Sequence, residues 1–376
     1  MPNLELTISP EYVGDWNIQA AIREIYQNAL DQQTVDPENE LLFDYNPQTL
    51  VLRIGNRKSA LDVSTLVLGK TSKAKNENVI GQFGEGYKLA LAVLLRLGKT
   101  VTIYNNPSVW TPTIKISEAF NTAVLNINII KYRFKACPEH DLIFSINGIT
   151  AEEYATIVDS NRNLHTDNQH VFLIATQGVI LLDPKYKGQI FVRGLHITTL
   201  PKAAYGYDFE PKHVKIGRDR DLINEFDIYY KTAAMWAGQA GHAEIIKKMI
   251  EDKAPDIEHI DSYVWQIPTE TVKYIGGSWY CEHGCTAYPV TSQREADSAR
   301  SLYGNGAKII IVSEQLMAIL KRTDEYKNFT ATSITKEKPY DLLRRLLKHP
   351  DRYRPAVFTE LKTVVELAKH WDWKRV

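Results

Sequence analysis

No stretch of this 376-residue chain is apolar for long enough to cross a bilayer. The longest purely apolar run is Leu89–Leu95, far short of the roughly 20 residues a spanning helix needs. Charge of one sign is missing as well. Lysine plus arginine equal aspartate plus glutamate at 45 each, which argues against a protein that wraps nucleic acid through a general basic excess. Only a local patch would support such binding. Cysteine is scarce, at 3 residues, and an odd number in a long chain makes no disulfide framework. The opening M-P-N-L-E-L-T-I has neither the basic start nor the apolar stretch of a signal peptide. The expectation is a reducing, cytoplasmic setting. There is no internal repeat and no low-complexity tract. What remains is an ordinary globular composition, 44% apolar and 24% charged, in a chain long enough for two or three domains.

The hydrophobic pattern predicts a first helix over about 16–32, with Ile18, Ile22, Ile25 and Ala29 at helical spacing. L-L-F-D-Y (41–45) and T-L-V-L-R-I (49–54) flank N-P-Q, a turn signal, and predict a hairpin. A short helix over 62–68, a loop rich in Gly, Lys, Ser and Asn over 69–86 and a buried helix over 87–97 follow. Strands are expected at V-T-I-Y (101–104), T-P-T-I-K-I-S and A-V-L-N-I-N-I-I. This order is α+β, helices layered on a mostly antiparallel sheet. The expected first domain is 1–140. A second, α/β domain over 141–240 holds L-I-F-S-I, V-F-L-I-A and Q-I-F-V-R-G-L as strands, with Y-G-Y-D-F (205–209) as a core anchor or a binding edge. It ends in an acid-rich helix start, with a hinge at 238–243. A small C-terminal mixed α/β module, 241–376, carries K-I-I-I-V (308–312) as a buried strand.

Two constellations carry chemistry. Glu24, Asn28 and Asp31 stand at i, i+4 and i+7, so they share one face of the first helix. They are either a solvated polar stripe or a ligand-facing set. I-G-Q-F-G-E-G-Y-K (80–88) then brings three glycines to the start of a buried helix. Backbone amides there, with the helix N-terminus, suit phosphates.

E-I-Y-Q-N-A-L-D (24–31) resembles the E-x-x-x-N-x-x-D helix of the GHKL ATPases, the superfamily of gyrase, the large heat-shock chaperones, histidine kinases and MutL. I-G-Q-F-G-E-G-Y (80–87) resembles the glycine motif of the chaperones, and G-K-T-S-K (69–73) the start of the MutL lid. The order of the three also matches. The resemblance implies a Bergerat-type ATPase sandwich over about 1–135, with a transducer-like domain after it. It implies that Glu24 is the general base, that Asn28 coordinates Mg²⁺, and that Asp31 supports the pocket or is a helix-surface charge. Gly81, Gln82, Phe83, Gly84, Glu85 and Gly86 would hold the lid on the phosphates, lined by Thr71, Ser72 and Lys73. Lys88 either reaches a phosphate or lies in solvent.

The sequence departs from the family at the adenine motif D-x-G-x-G, where Asn56, Lys58 and Ala60 stand for the aspartate and both glycines. An amide accepts from an amino group but also donates, which puts adenine selectivity in doubt. In 213–221, Lys215, Arg218 and Arg220 are candidate γ-phosphate sensors, or belong to a capping loop paired with Asp219 and Asp221. Cys281, His283 and Cys285 offer zinc three ligand types without the fourth that structural sites use. The basic stretch 342–354 is a solvated amphipathic helix or a contact for a partner. Together these readings imply Mg²⁺-dependent ATP hydrolysis driving a switch or clamp on a protein or nucleic-acid client, with homodimerisation on ATP binding. The alternative is a regulatory nucleotide-binding module with little or no turnover. Histidine kinases usually carry asparagine at the position of Glu24, and a type II topoisomerase needs a DNA-cleavage region for which 376 residues are too few.

Overall fold

The computed structural model describes residues 3–67, 85–131, 141–165, 172–214, 225–303, 308–329, 339–348 and 354–369. The chain forms two compact units, Met1–Lys231 and Thr232–Val376.

In the first unit, strands β1 (Asn3–Glu5), β2 (Leu41–Asn46), β3 (Val51–Asn56), β4 (Thr100–Asn105), β5 (Ser108–Ser117), β6 (Thr122–Lys131) and β7 (Leu142–Asn147) make one sheet. Its order is β1-β6-β5-β4-β7-β3-β2, and every pair in it is antiparallel. The hairpin β2–β3 turns where N-P-Q predicts it. L-I-F-S-I, expected in the second domain, is instead β7, held between β3 and β4. Helices α1 (Ile18–Val35) and α2 (Gly86–Arg96) pack on this sheet and on each other. Leu52, Ile54, Ile103, Leu125, Ile127 and Ile146 of the sheet are fully buried, as are Ile22, Leu91 and Leu94 of the helices. Large antiparallel sheet and layered helices together make the class α+β.

Helix α3 (Ala151–Asp159) carries a capping box between Thr150 and Glu153 and packs against α1. A second sheet has the order β11-β10-β12-β9-β8, from β8 (Phe172–Ala175), β9 (Gly178–Leu181), β10 (Gln189–Val192), β11 (Leu195–Thr199) and β12 (Gly206–Phe209). Q-I-F-V-R-G-L, expected as one strand, is broken into β10 and β11 by a turn at Arg193 and Gly194, with φ of 51° and 78°. Two consecutive residues at positive φ give the turn whose twist suits a two-residue hairpin. Y-G-Y-D-F is core: Tyr207 and Phe209 of β12 are buried. The Arg162 guanidinium pairs with the buried carboxylate of Asp208, which also accepts from Gly194 N at 2.9 Å.

The second unit is mostly helical. Within it, α4 (Ala243–Glu251) packs on α5 (Thr269–His283). Strands β13 (Ala287–Val290) and β14 (Lys308–Ile311) run parallel, joined by the helix Gln293–Tyr303. K-I-I-I-V is not the buried strand expected. Ile311 is 52% exposed, because a two-stranded sheet has too few neighbours to cover it. Helices Pro339–Leu346 and Pro355–Lys369 follow, and no helix among the described residues is long and apolar enough to cross a membrane.

Candidate functional site

Helix α1 starts at Asn17, whose side chain accepts from Ala20 N at 2.9 Å. Its apolar stripe turns Ile22, Ile25 and Ala29 into the core, but its other sides are covered too. Gln19 Nε2 donates to the carbonyl of Thr156 at 3.1 Å, and the Tyr26 ring stands edge-on to Phe43. The polar set therefore faces inward. Glu24 and Asp31 are 0% exposed, which rules out the solvated stripe. A buried carboxylate is costly unless partnered, and the Arg23 guanidinium lies 3.9 Å from Glu24 Oε1. Asn28 is half-buried and donates its amide to the carbonyl of Glu24 at 2.8 Å. An amide oxygen is a hard donor of the kind a divalent cation takes.

The spacing argument missed Gln27. It is 2% exposed on the same helix, and its Nε2 finds no hydrogen-bond partner among the described residues. Its position one turn from Glu24 and from Asp31 was the available signal.

The end of β3 meets α1 through Asn56, itself 2% exposed. Its Nδ2 donates to the carbonyl of Ala29 at 2.8 Å and to that of Asn39 at 3.0 Å. Turned so as to donate, the Asn39 amide reaches the carbonyls of Arg57 and Lys58. Just before Asn56, Gly55 lets β3 approach β7, since a Cβ there would collide with the Leu142 carbonyl. Just after it, Lys58 has φ 54°, a left-handed conformation at the position where the adenine motif carries glycine. The loop is then pinned: Lys58 N donates to Asp141 Oδ1 at 3.3 Å, and Asn105 exchanges two 2.9 Å hydrogen bonds with the backbone of Leu61.

Helix α2 begins at Gly86, and its N-cap Glu85 makes no side-chain cap hydrogen bond. Lys88 does not lie in solvent, one of the two outcomes expected for it. Lys88 is 0% exposed, and its ammonium donates to the carbonyls of Thr65 and Val67 at 2.7 and 2.8 Å. Burial lowers its pKa to about 8, against a smaller raising effect of Glu85. Beside it, the Tyr87 and Thr65 hydroxyls are 3.1 Å apart. The first turn of α2 thus clamps the single 3-10 turn Val63–Leu66, which replaces the short helix expected there.

The structure brings α1, the end of β3 and the first turn of α2 to one side of the sheet, with Glu24, Asn28, Asp31, Asn56, Glu85, Gly86 and Lys88 on them. Thr71, Ser72, Lys73, Gly81, Gln82, Phe83 and Gly84 lie outside the described residues, as do Lys215, Arg218 and Arg220. In the second unit Cys281 and Cys285 are exposed free thiols, and His283 packs on Trp279. No group of three His, Cys, Asp or Glu side chains among the described residues is arranged to hold a metal.

No protein-family model matches the chain. An uncharacterised protein of Mycoplasma pneumoniae is 26% identical over 221 residues, which are 57% of this chain and 87% of that protein. Among solved structures, the ATPase region of Saccharomyces cerevisiae topoisomerase II is similar over 48% of this chain at 9% identity and a TM-score of 0.33. The chain spans 62% of that structure, less than two thirds of its length. The ATPase and transducer domains of DNA topoisomerase II from Balamuthia mandrillaris are similar over 85% of both chains, at 12% identity and a TM-score of 0.34.

Proposed function

We propose that the chain binds ATP with Mg²⁺ and hydrolyses it, using the polar face of α1. The observation that carries this reading is the full burial of Glu24 and Asp31 on the face that also holds Asn28. Carboxylates are seldom fully buried, and two on one helix face mark that face as a candidate ligand-facing surface. In this reading the Glu24 carboxylate takes the proton of the attacking water. The Asn28 side-chain oxygen, a hard donor on the same helix face as Glu24, fits a Mg²⁺ ligand. Asp31 supports the pocket from one turn further on. When bound, Mg²⁺ supplies charge neutralisation on the phosphate oxygens.

The wider reading is a nucleotide-driven switch or clamp that closes as a homodimer on a macromolecular client. Here the region after β7, to about residue 240, acts as a transducer-like domain, Lys215, Arg218 or Arg220 senses the γ-phosphate, and 241–376 is a separate module. The sequence motifs at 24–31, 69–73 and 80–87 support it. The second reading, a binding module with little turnover, is favoured by Lys58 and Ala60 standing where the family has glycine.

Turnover of Mg²⁺-ATP by the purified chain, with light scattering in ADP and in a non-hydrolysable triphosphate, separates the two. Hydrolysis abolished by EDTA, with a larger species only in the triphosphate, is the expected result. Binding without turnover would leave the regulatory module. Binding of neither nucleotide would remove both.

A further inference from the structure

We propose that the cavity beside β13 binds a phosphorylated small molecule, held by Arg294, Lys321 and the Ser292 hydroxyl. The cavity lies within the second unit, and its case is independent of the nucleotide reading above. About 530 Å³ in volume, it falls within the roughly 300–1,000 Å³ of small-ligand sites. Val290, Ala299 and Met317 line it with buried side chains, and the Tyr288 and Tyr326 hydroxyls, 3.3 Å apart, add polar groups. A further strand does not suit it. Val290 turns its backbone to β14, accepting from Val312 N at 2.8 Å, so Ala287 and Pro289 turn theirs to the other edge. There Ala287 N is already given to the Gly284 carbonyl at 3.0 Å, and Pro289 has no N–H to offer.

Two cations line the cavity. Arg294 stands in the first turn of the helix Gln293–Tyr303, and Lys321 caps the end of the helix Glu314–Leu320. Both are exposed, and neither side chain makes a salt bridge or hydrogen bond with a described residue. Glu295, the acid beside them, is already engaged. Its carboxylate accepts from Thr291 N and Oγ1, each at 2.8 Å, and these bonds, the N–H first, hold its pKa below the ordinary glutamate value, with Lys321 a smaller influence. Ser292 Oγ accepts from Glu295 N at 3.2 Å, which leaves its own hydrogen to donate. The balance is a single net positive charge. That is too little for the basic stripe that tracks nucleic acid, but it is matched to a compact anion. A guanidinium fork, an ammonium and a hydroxyl together suit an anion with three terminal oxygens. A phosphate monoester has three, whereas a carboxylate has two and leaves a donor unmet.

The test titrates inorganic phosphate into the whole chain at constant ionic strength, reading affinity by calorimetry and location by hydrogen exchange. The expected result is saturable binding with a Kd of about 1 mM, as suits a fragment of the ligand, with slower exchange in 288–299 and 314–321. Ribose 5-phosphate, which fills more of the cavity, should bind more tightly than phosphate. Arg294→Ala combined with Lys321→Ala, both at exposed positions, should weaken phosphate by at least about tenfold and melt at the parental temperature. Absence of saturable phosphate binding would overturn the proposal. So would binding that survives the double substitution, since the anion would then sit elsewhere, the α1 face included. Acetate held as tightly as phosphate would make this a carboxylate site, and ribose 5-phosphate bound no more tightly than phosphate would leave an anion contact without a ligand cavity. Either result also overturns it.

Discussion

Lys88 Nζ and the carbonyl oxygen of Thr65 lie 2.7 Å apart, joining the first turn of α2 to the 3-10 turn that precedes residue 68. The bond is made by an ammonium without exposed surface, and burial is the main reason its pKa falls from 10.5 to about 8. The sign of the pH dependence follows. Below about pH 8 both folded and unfolded chains carry the proton, and the folded state bears the full cost of burying the charge. Between about 8 and 10.5 the unfolded chain keeps the proton that the folded chain has released, so this lysine's contribution to stability rises with pH.

Urea denaturation of the parent and of Lys88→Met at pH 7.5, 9 and 10 reads that contribution as a difference between two chains. It should shift in favour of Lys88 as pH rises, by at most about 1.4 kcal/mol per pH unit. Parallel curves would show that Lys88 titrates normally.

Glu24→Gln keeps the shape of the side chain and removes its basicity. Nucleotide binding should persist while turnover falls by about 10²–10⁴-fold, the usual worth of a general base. Asn28→Ala should lose the Mg²⁺ dependence of binding as well. Turnover at the parental rate in Glu24→Gln would end the general-base assignment.

Gly55→Ala tests the close approach of β3 and β7. The added methyl would meet the Leu142 carbonyl and would stand 2.9 Å from Ile143 Cα. Backbone cannot rotate away as a side chain can, so a loss of about 3 kcal/mol is expected. A melting temperature equal to the parent's would mean that the strands separate without cost.

Lys58 occupies the left-handed region at φ 54°, so its substitutions should rank by backbone tolerance. Lys58→Gly relieves about 1 kcal/mol of that strain and gives back a similar amount in unfolded-state entropy. The exposed bond to Glu38 is worth little in addition. Lys58→Val, branched at Cβ, should be less stable than Lys58→Gly by about 1–2 kcal/mol. The reverse order in chemical denaturation would show that the Glu38 contact governs the loop.

Much of the candidate site was legible because it is local. The 3.6-residue period put Glu24, Asn28 and Asp31 on one face of a helix, the apolar run 89–95 marked α2, and N-P-Q marked the β2–β3 hairpin. Each depends only on residues a few positions apart, where backbone geometry alone decides which side chains are neighbours. Composition, likewise additive, sufficed to argue against a general basic surface.

Tertiary contacts decided the rest. That the polar face of α1 points inward follows from packing against α2, α3 and the sheet, none of which the helix's own periodicity encodes. Leu142–Asn147 became a central strand because β3 and β4 both needed an antiparallel neighbour, a choice made across sequence separations that no local pattern spans. Lys88 was buried because two carbonyls, 21 and 23 residues earlier, accept its protons. Asn56 was ambiguous in sequence, where an amide is both donor and acceptor. Two carbonyls 17 and 27 residues away fixed its orientation by accepting from its Nδ2, since a hydrogen bond's direction is set by its partner and partners are set by the fold.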